Sequence, residues 1–412
     1  MSSRKHFAIF TTASLPWMTG TAINPLFRAA YLAKHGNLDV TLVLPWLNAR
    51  DQVLAYPDNN TFDSPETQAW YVRMWVEERI DFGTSFRIIF YKAEFSKETG
   101  RIHPVGDITR YIKRECADIA LLEEPQHLLQ EKYGQGFKKM FKQVIGIIDT
   151  DYVTPRFPMF PMFGNTWATQ CHKMFILPGA TQNLTRSVVC NVNGVDKKFL
   201  EVGKTKLTQL QSGENAFPNG AYYIGNMRIK EYKEFFSLLS KNQRNLFHLQ
   251  MDLYVCGSED YNAVHKAARR SGLAINVYPG RDHSDPLFHD YKVFINPSTT
   301  NAACGTATEA LAMGKIIICP NRPSNEFFKN FPNCHTYDNV EELVQLTLNA
   351  LSEQPHPFQH MQDELTWEAA TKRFAVAAGI KPLSDQLAPF IQLANMQRYN
   401  KQSWKTPTKR FI

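Results

Sequence analysis

A run of small residues follows the apolar stretch Val293–Ile295 and opens a helix that ends at Gly314. In this run, Gly305 and Thr306 leave the amide groups at the helix start unobstructed, and a helix N-terminus attracts anions. The segment therefore predicts a cradle for a phosphate group. Glu309 lies in the same helix, where its carboxylate could accept two hydrogen bonds from a ribose diol. The alternative is a buried carboxylate that backbone groups satisfy.

A second possible phosphate-binding helix start lies near the beginning of the chain. Thr19, Gly20 and Thr21 follow the strand-like run His6–Thr12 and directly precede a helix. Glycine allows the backbone to approach a ligand closely, although many such turns contain a glycine for steric reasons alone. The sequence contains neither a Gly-x-Gly-x-x-Gly fingerprint nor a complete P-loop motif, which disfavours dinucleotide redox chemistry and Walker-type hydrolysis.

Basic residues follow two strand-like runs in the second half of the chain. Arg228 and Lys230 come after Ala221–Ile224, and Arg281 comes after Ala274–Val277. At the carboxyl end of a strand, such side chains could neutralise a diphosphate leaving group through charge-assisted hydrogen bonds. The alternative for each of them is an isolated surface charge.

An acidic pair follows the apolar run Val144–Ile148. Asp149 and Asp151 form an Asp-x-Asp pattern at a predicted strand end. Such a pattern at a strand end can hold a divalent cation against a nucleotide diphosphate. A three-residue pattern also recurs by chance, so a simple loop turn is the alternative.

Short apolar runs alternate with helix-like stretches, which predicts parallel strands joined by crossover helices. Two predicted helices are Ala22–Lys34 and Pro65–Ile80, and Ser64 is placed to cap the second of them. The predicted strands are His6–Thr12, Asp39–Leu44, Phe86–Tyr91, Asp118–Leu122, Val144–Ile148, Met174–Leu177, Ala221–Ile224, Leu249–Val255, Ala274–Val277, Val293–Ile295 and Ile316–Cys319.

A polar stretch rich in Gly, Ser and Asn separates the two series of strands. We therefore predict an α/β protein with two Rossmann-like domains that face each other across a cleft, where ligands bind at the carboxyl ends of the strands. The predicted first domain spans residues 1–205, the linker 206–219 and the second domain 220–378. Residues 379–412 are predicted to form a C-terminal helix that crosses back to the first domain, and a basic tail.

Composition and charge limit the classes of function. The 412 residues include 46 Lys and Arg against 39 Asp and Glu, a net charge of +7 that favours anionic partners but is too small to indicate nucleic acid. Seven cysteines without a Cys-x-x-Cys pair predict neither a disulfide framework nor a zinc site. With no presequence and no long apolar segment visible, we expect any membrane contact to be peripheral.

Several longer motifs, taken in order, resemble the plant and algal digalactosyldiacylglycerol synthases, which are retaining GT-B glycosyltransferases of the family-4 type. The resemblance spans roughly residues 6–375. The motifs are the segment from Phe10 to Tyr31, Leu122-Glu-Glu-Pro-Gln-His, Ser187-Val-Val-Cys-Asn-Val-Asn-Gly-Val, Gly280-Arg-Asp-His, Tyr291-Lys-Val-Phe-Ile-Asn-Pro-Ser, Thr306-Ala-Thr-Glu-Ala-Leu-Ala-Met-Gly-Lys, Pro323-Ser-Asn-Glu-Phe-Phe and Trp367-Glu-Ala-Ala-Thr. The resemblance implies transfer of galactose from UDP-galactose to monogalactosyldiacylglycerol, with no cofactor and no metal ion.

The resemblance also implies roles for individual residues. The loop Thr19–Thr21 would face the donor phosphates and sugar. Arg281 and the amides near Gly305 and Thr306, identified above from the residues themselves, complete the predicted donor site. Lys230 would neutralise the diphosphate, and Glu309 would bind the ribose. The first domain would then take the lipid acceptor, and the second would take the UDP-sugar.

Three positions depart from the family-4 pattern. Asn226 stands where an arginine is usual, and Asn301 stands at the first acidic position of the Glu-x7-Glu motif. Asp149 replaces the usual active-site histidine, and this placement in a GT-B cleft removes the need for a metal at Asp149 and Asp151. A carboxylate there could accept a sugar-hydroxyl hydrogen bond or stabilise an oxocarbenium-like transition state.

A lipid acceptor requires a membrane-facing surface. The stretch from Tyr152 to Trp167 carries Phe157, Phe160 and Phe163 among prolines that preclude a regular helix. It is predicted to dip into the bilayer or to grip the acceptor, and the alternative is a loop that covers the first domain's core. The resemblance implies a peripheral protein of the plastid outer envelope in a plant or alga, and otherwise one on the cytoplasmic face of a membrane that attracts the basic tail.

Other functions remain open at this point. A family-4 transferase with a different donor or a soluble acceptor is one, because Asn226, Asp149 and Asn301 all lie in the predicted donor site. A non-catalytic GT-B scaffold that binds lipid or nucleotide is another. A GT-B epimerase is a weaker alternative, because it would turn over its nucleotide sugar without an acceptor.

Overall fold

The computed structural model describes residues 4–34, 38–57, 60–129, 135–148, 166–177, 186–225, 227–241, 250–256, 261–298, 305–357 and 362–380. Within these residues, two sheets form the centres of two α/β units. Most strands of each sheet are the buried apolar runs that the sequence pattern predicts.

The first sheet has eight described strands in the order β4-β3-β2-β1-β5-β6-β7-β8. All neighbouring strands are parallel except β3 and β4. The strands are β1 Lys5–Phe10, β2 Leu38–Trp46, β3 Arg87–Ser96, β4 Arg101–Pro104, β5 Ile119–Glu123, β6 Gln143–Ile148, β7 Lys173–Ile176 and β8 Ser187–Val189.

The second sheet has six described strands in the order β11-β10-β9-β12-β13-β14, all parallel. Its centre lies at β9 and β12, where the strand order reverses and a doubly wound sheet opens a crevice for ligands. The strands are β9 Asn219–Gly225, β10 Met251–Val255, β11 Ile275–Pro279, β12 Tyr291–Ile295, β13 Ile316–Pro320 and β14 Cys334–Tyr337.

Helices connect these strands and cover the sheets. Ser64 caps α3 as predicted, since its hydroxyl accepts from the amide of Thr67. The helices are α1 Gly20–Lys34, α2 Ala49–Ala55, α3 Pro65–Glu77, α4 Pro125–Leu128, α5 Gln135–Met140, α6 Lys197–Gln211, α7 Ile229–Lys241, α8 Tyr261–Ser271, α9 Gly305–Ala312, α10 Val340–Ser352 and α11 Trp367–Ala378.

The predicted strands all appear, with ends that differ by a few residues. Three strands have no counterpart in the prediction, namely β4, β8 and β14. They are three or four residues long and lie at sheet edges, where the residues alternate little in burial. Short edge strands carry little of the apolar pattern on which such a prediction depends.

The last described helix, α11, returns to the first unit. The ring of Trp367 stacks on Phe27 of α1, with centroids 5.4 Å apart, and Phe374 packs against Phe175 of β7. The crossing helix therefore begins at Trp367, ahead of the predicted position 379, while residues 381–412 lie outside the described part of the chain.

The predicted linker, residues 206–219, begins inside α6. This helix packs on the second unit, where Phe199 joins the core around β9 and β12. A Cβ atom at Gly203 would collide with the carbonyl oxygen of Ala312 in α9, so this close approach of two helices requires glycine. Lys206 is also buried and lies 2.6 Å from the carboxylate of Asp290.

Candidate active site

The predicted donor-site residues of the second unit follow the carboxyl ends of parallel strands. Lys230 lies in the first turn of α7 after β9, Arg281 follows β11, and Glu309 lies in α9 after β12. Because these strands are parallel members of one sheet, their carboxyl ends lie along the same edge. The sheet therefore brings these segments to one side of the unit, as expected for a ligand site.

Glu309 is held by a histidine that sequence reasoning did not assign to the site. Its Oε2 atom lies 2.7 Å from Nδ1 of His283, and Nε2 of His283 lies 2.7 Å from the hydroxyl of Tyr222. The side chain of His283 is 5% exposed and that of Glu309 is 28% exposed. The carboxylate is thus tethered from the protein interior and still reaches the surface of the site.

Aromatic rings enclose His283. The ring centroids of Phe199, Phe288 and Phe294 lie 5.8, 5.3 and 6.1 Å from that of the imidazole. The fully buried Lys315, at the end of the Thr306–Lys315 motif, donates from Nζ to the carbonyls of Phe288, His289 and Tyr291. These contacts hold the segment after β11 against the core, so the position of His283 is determined by packing.

The two predicted cationic residues lie in more exposed positions. Lys230 is 81% exposed and lies 3.7 Å from Glu234, one helical turn further along α7. Arg281 is 58% exposed and lies 3.3 Å from Asp285. Both side chains are therefore available to an anionic ligand at low cost, because exposed ion pairs of this kind contribute little.

The predicted loop of the first unit is held by buried polar groups. Gln68 of α3 donates from Nε2 to the carbonyl of Leu15, 2.8 Å away, and Tyr91 donates to the carbonyl of Thr11. The hydroxyls of Thr19 and Thr21 lie 3.0 Å apart on either side of Gly20, where α1 begins. This loop lies beyond the carboxyl end of β1, the edge at which a ligand of the first unit is expected.

Arg28, in the middle of α1, is 1% exposed and was not identified from the sequence. Its guanidinium donates to Glu123 at 2.8 Å, to the carbonyl of Val192 at 2.7 Å and to Asn193 at 2.8 Å. It also lies 5.6 Å from the ring centroid of Trp367. The clue in the sequence is an arginine within an otherwise apolar helix face.

His127 closes the Leu122–His127 motif and is also buried. Arg101 donates from one guanidinium nitrogen toward its ring, 2.8 Å from Nε2. A nitrogen that accepts from a guanidinium cannot carry a proton itself, and burial together with this cation lowers the pKa of His127 to about 3.

Several predicted site residues lie outside the described part of the chain. They are Asp149, Phe157, Phe160, Phe163, Asn226 and Asn301. Trp167 belongs to the short 3-10 helix Thr166–Gln170, and its side chain is not described. The roles of these residues stay predictions.

Among the residues that the structure describes, no cluster of three or more His, Cys, Asp or Glu side chains is arranged to hold a metal ion. In the same part of the chain, no helix has the length and apolar character needed to span a bilayer.

Solved structures define the class of fold. The chain resembles sucrose-phosphate synthase from Thermosynechococcus elongatus with a TM-score of 0.52 and 13% identity, over 94% of this chain and 100% of that one. It resembles a trehalose-6-phosphate synthase with the same TM-score of 0.52 and 11% identity, over 93% of this chain and 99% of that one. It also resembles TarM, with a TM-score of 0.51 and 10% identity, over 96% of this chain and 99% of that one. The chain therefore has the GT-B glycosyltransferase fold, and the predicted fold class is confirmed.

Sequence relatives define the family. The chain is 52% identical to digalactosyldiacylglycerol synthase 2, chloroplastic, of Glycine max over 94% of this chain and 86% of the relative, and 52% identical to its Arabidopsis thaliana counterpart over 92% and 83%. Digalactosyldiacylglycerol synthase 1 of Arabidopsis thaliana is 47% identical over 90% of this chain and 47% of the relative. No model of a protein family matches. The chain belongs to the digalactosyldiacylglycerol synthase family, as the motifs predicted.

Replacing Arg28 with methionine is expected to lower the free energy of unfolding by about 3–5 kcal/mol, because it leaves the carboxylate of Glu123 buried without its cation. Urea unfolding measures this loss. The matched control is Lys34→Met, which removes the exposed ion pair between Lys34 of the same helix and Glu368 of α11. That variant is expected to lose no more than about 1 kcal/mol. Equal losses of unfolding free energy in the two variants would contradict the conclusion that the buried pair of Arg28 and Glu123 stabilises the fold more than an exposed pair does.

Stability is expected to fall in acid because of His127. Its folded pKa of about 3 lies below the ordinary value of 6.5, so between these values the unfolded chain binds the extra proton and folding weakens as pH falls. His127→Gln should reduce this slope by up to about 1.4 kcal/mol per pH unit near pH 5. Urea unfolding at several pH values tests this, with the exposed His356→Gln as control. An unchanged slope in His127→Gln would refute the assignment.

Proposed function

We propose that this protein is a UDP-galactose-dependent galactosyltransferase that converts monogalactosyldiacylglycerol into digalactosyldiacylglycerol with retention of configuration at the transferred sugar. The named relatives support the product, and the GT-B fold supports a nucleotide-sugar donor between two domains. We assign the lipid acceptor to residues 1–205 and the UDP-sugar to residues 220–378. No cofactor is part of this proposal.

The observation that carries the proposal is the tethered carboxylate of Glu309. It lies at the strand edge where a nucleotide is expected, and it is oriented by His283 and still partly exposed. A carboxylate so placed suits the two hydroxyls of a ribose, since both are donors and the carboxylate accepts only. We assign the diphosphate to the start of α9, near Gly305 and Thr306, because a helix N-terminus attracts anions.

The proposed reaction breaks the bond between the galactose anomeric carbon and the diphosphate oxygen. UDP leaves with the electron pair of that bond, and Lys230, Arg281 and the α9 amides stabilise its charge. The acceptor hydroxyl attacks from the same face, and its proton passes to the leaving phosphate oxygen. The products are UDP and a digalactolipid. Asp149 and Asn301 are assigned to the transferred sugar, and Asn226 and Thr19–Thr21 to the donor.

A lipid acceptor places the enzyme at a membrane surface, and we propose peripheral attachment to an anionic leaflet. The relatives' names carry the word chloroplastic, which supports a plastid location. The finer assignment to the plastid outer envelope is part of the proposal. Phe157, Phe160, Phe163 and Trp167 are the side chains proposed to enter the bilayer or grip the acceptor.

Transfer of labelled galactose from UDP-galactose to monogalactosyldiacylglycerol in mixed liposomes tests the function. Glu309→Ala is expected to raise the KM for UDP-galactose by about 10- to 100-fold, the effect of losing hydrogen bonds to a charged group. The matched control is Glu341→Ala, on the exposed first turn of α10, which should leave the KM unchanged. A variant with wild-type donor KM would remove the proposed role of Glu309. UDP binding without a digalactolipid product would instead favour the scaffold or another donor.

Replacing Phe157, Phe160 and Phe163 together with serine is expected to reduce binding to galactolipid liposomes at least tenfold, because three aromatic side chains would no longer enter the bilayer. Cosedimentation measures the binding, and an unchanged thermal unfolding midpoint shows that the fold is kept. If the fold is kept and binding is also unchanged, these residues do not attach the protein to the membrane.

A further inference from the structure

The side chain of His283 is buried and closely packed. The residue follows β11, its side chain is 5% exposed, and three phenylalanine rings surround it. The chain just after His283 is also fixed by Lys315, whose Nζ donates hydrogen bonds to three backbone carbonyls there. The imidazole therefore presents its two nitrogens in fixed directions, one toward Glu309 and the other toward Tyr222.

The chemistry of the three groups decides which atom donates. An ionised carboxylate only accepts hydrogen bonds, so Nδ1 of His283 carries the hydrogen that reaches Oε2 of Glu309. In a neutral imidazole, Nε2 then accepts from the hydroxyl of Tyr222, which is itself buried on β9. The result is a directed line of hydrogen bonds from the sheet, through the imidazole, to the carboxylate at the site surface.

We propose that His283 is a positioning residue for the nucleotide donor, in that it holds the carboxylate of Glu309 in the orientation that binds the ribose diol. This inference rests on the proposed function, which places a nucleotide sugar at Glu309. Orienting the carboxylate before binding avoids the entropy cost of ordering it at the moment the donor arrives. Tyr222 contributes by fixing the tautomer of the imidazole.

Two conservative variants separate the two hydrogen bonds of His283. In His283→Asn the amide nitrogen takes the place of Nδ1 and keeps the donor to Glu309, whereas in His283→Gln it takes the place of Nε2 and loses that donor. Calorimetric titration with UDP needs no turnover and reports donor binding alone. We expect His283→Gln to weaken UDP binding about tenfold and His283→Asn to weaken it less than threefold.

A ligand without the ribose hydroxyls shows whether the effect passes through Glu309. With 2′,3′-dideoxyuridine diphosphate, His283→Gln is expected to bind as the wild type does. In a Glu309→Gln background, the further change His283→Gln should add nothing for UDP, because both changes remove the same interaction. A role of His283 in packing alone would weaken binding of both nucleotides and would add to the effect of Glu309→Gln.

The control is His289→Gln, which changes a histidine on the same segment whose Nε2 lies 3.3 Å from the carbonyl of Ser284. It is expected to bind UDP as the wild type does, with a similar unfolding midpoint. Equal losses in His283→Asn and His283→Gln, or losses that persist with the dideoxy nucleotide, would overturn the positioning role alone. A wild-type protein that does not bind UDP would overturn the proposed function, and the positioning role with it.

Discussion

The buried guanidinium of Arg28 joins parts of the chain that are far apart in sequence. It contacts Glu123 at the end of β5, Val192 and Asn193 beyond β8, and the ring of Trp367 in the returning helix. A charge removed from water is tolerated only when its donors are satisfied, so these segments must adopt one arrangement around it. The first unit and its crossing helix therefore depend on this interaction.

Four of the motifs that resemble the family meet around Arg28. Arg28 belongs to the first of them, Glu123 to the second, Asn193 to the third and Trp367 to the last. None of these four residues belongs to the donor site predicted from the sequence. The shared motifs thus reflect two different constraints, the packing of the first unit around its crossing helix and the polar groups proposed to contact a ligand.

Much of the fold follows from the sequence. The buried strands are runs of apolar residues such as Val144–Ile148, and helix α3 begins at the expected cap, Ser64. Both patterns act over a few neighbouring residues, so they are visible without knowledge of the rest of the chain. Edge strand β14 was missed because its half-buried residues show no such pattern. The sequence predicts Glu309 as the ribose carboxylate from its position in a small-residue helix after a strand, and that role stays a prediction.

The sequence by itself determined two successive α/β units, the placement of Gly305, Glu309 and Lys230 in helices that follow strands, and membership of one family. Only the tertiary structure decided which groups orient these residues. His283 and Tyr222 are 61 positions apart, and Arg28 and Glu123 are 95 positions apart. No local pattern relates such positions, because their contact arises only when parallel strands assemble into a sheet and the helices pack on it.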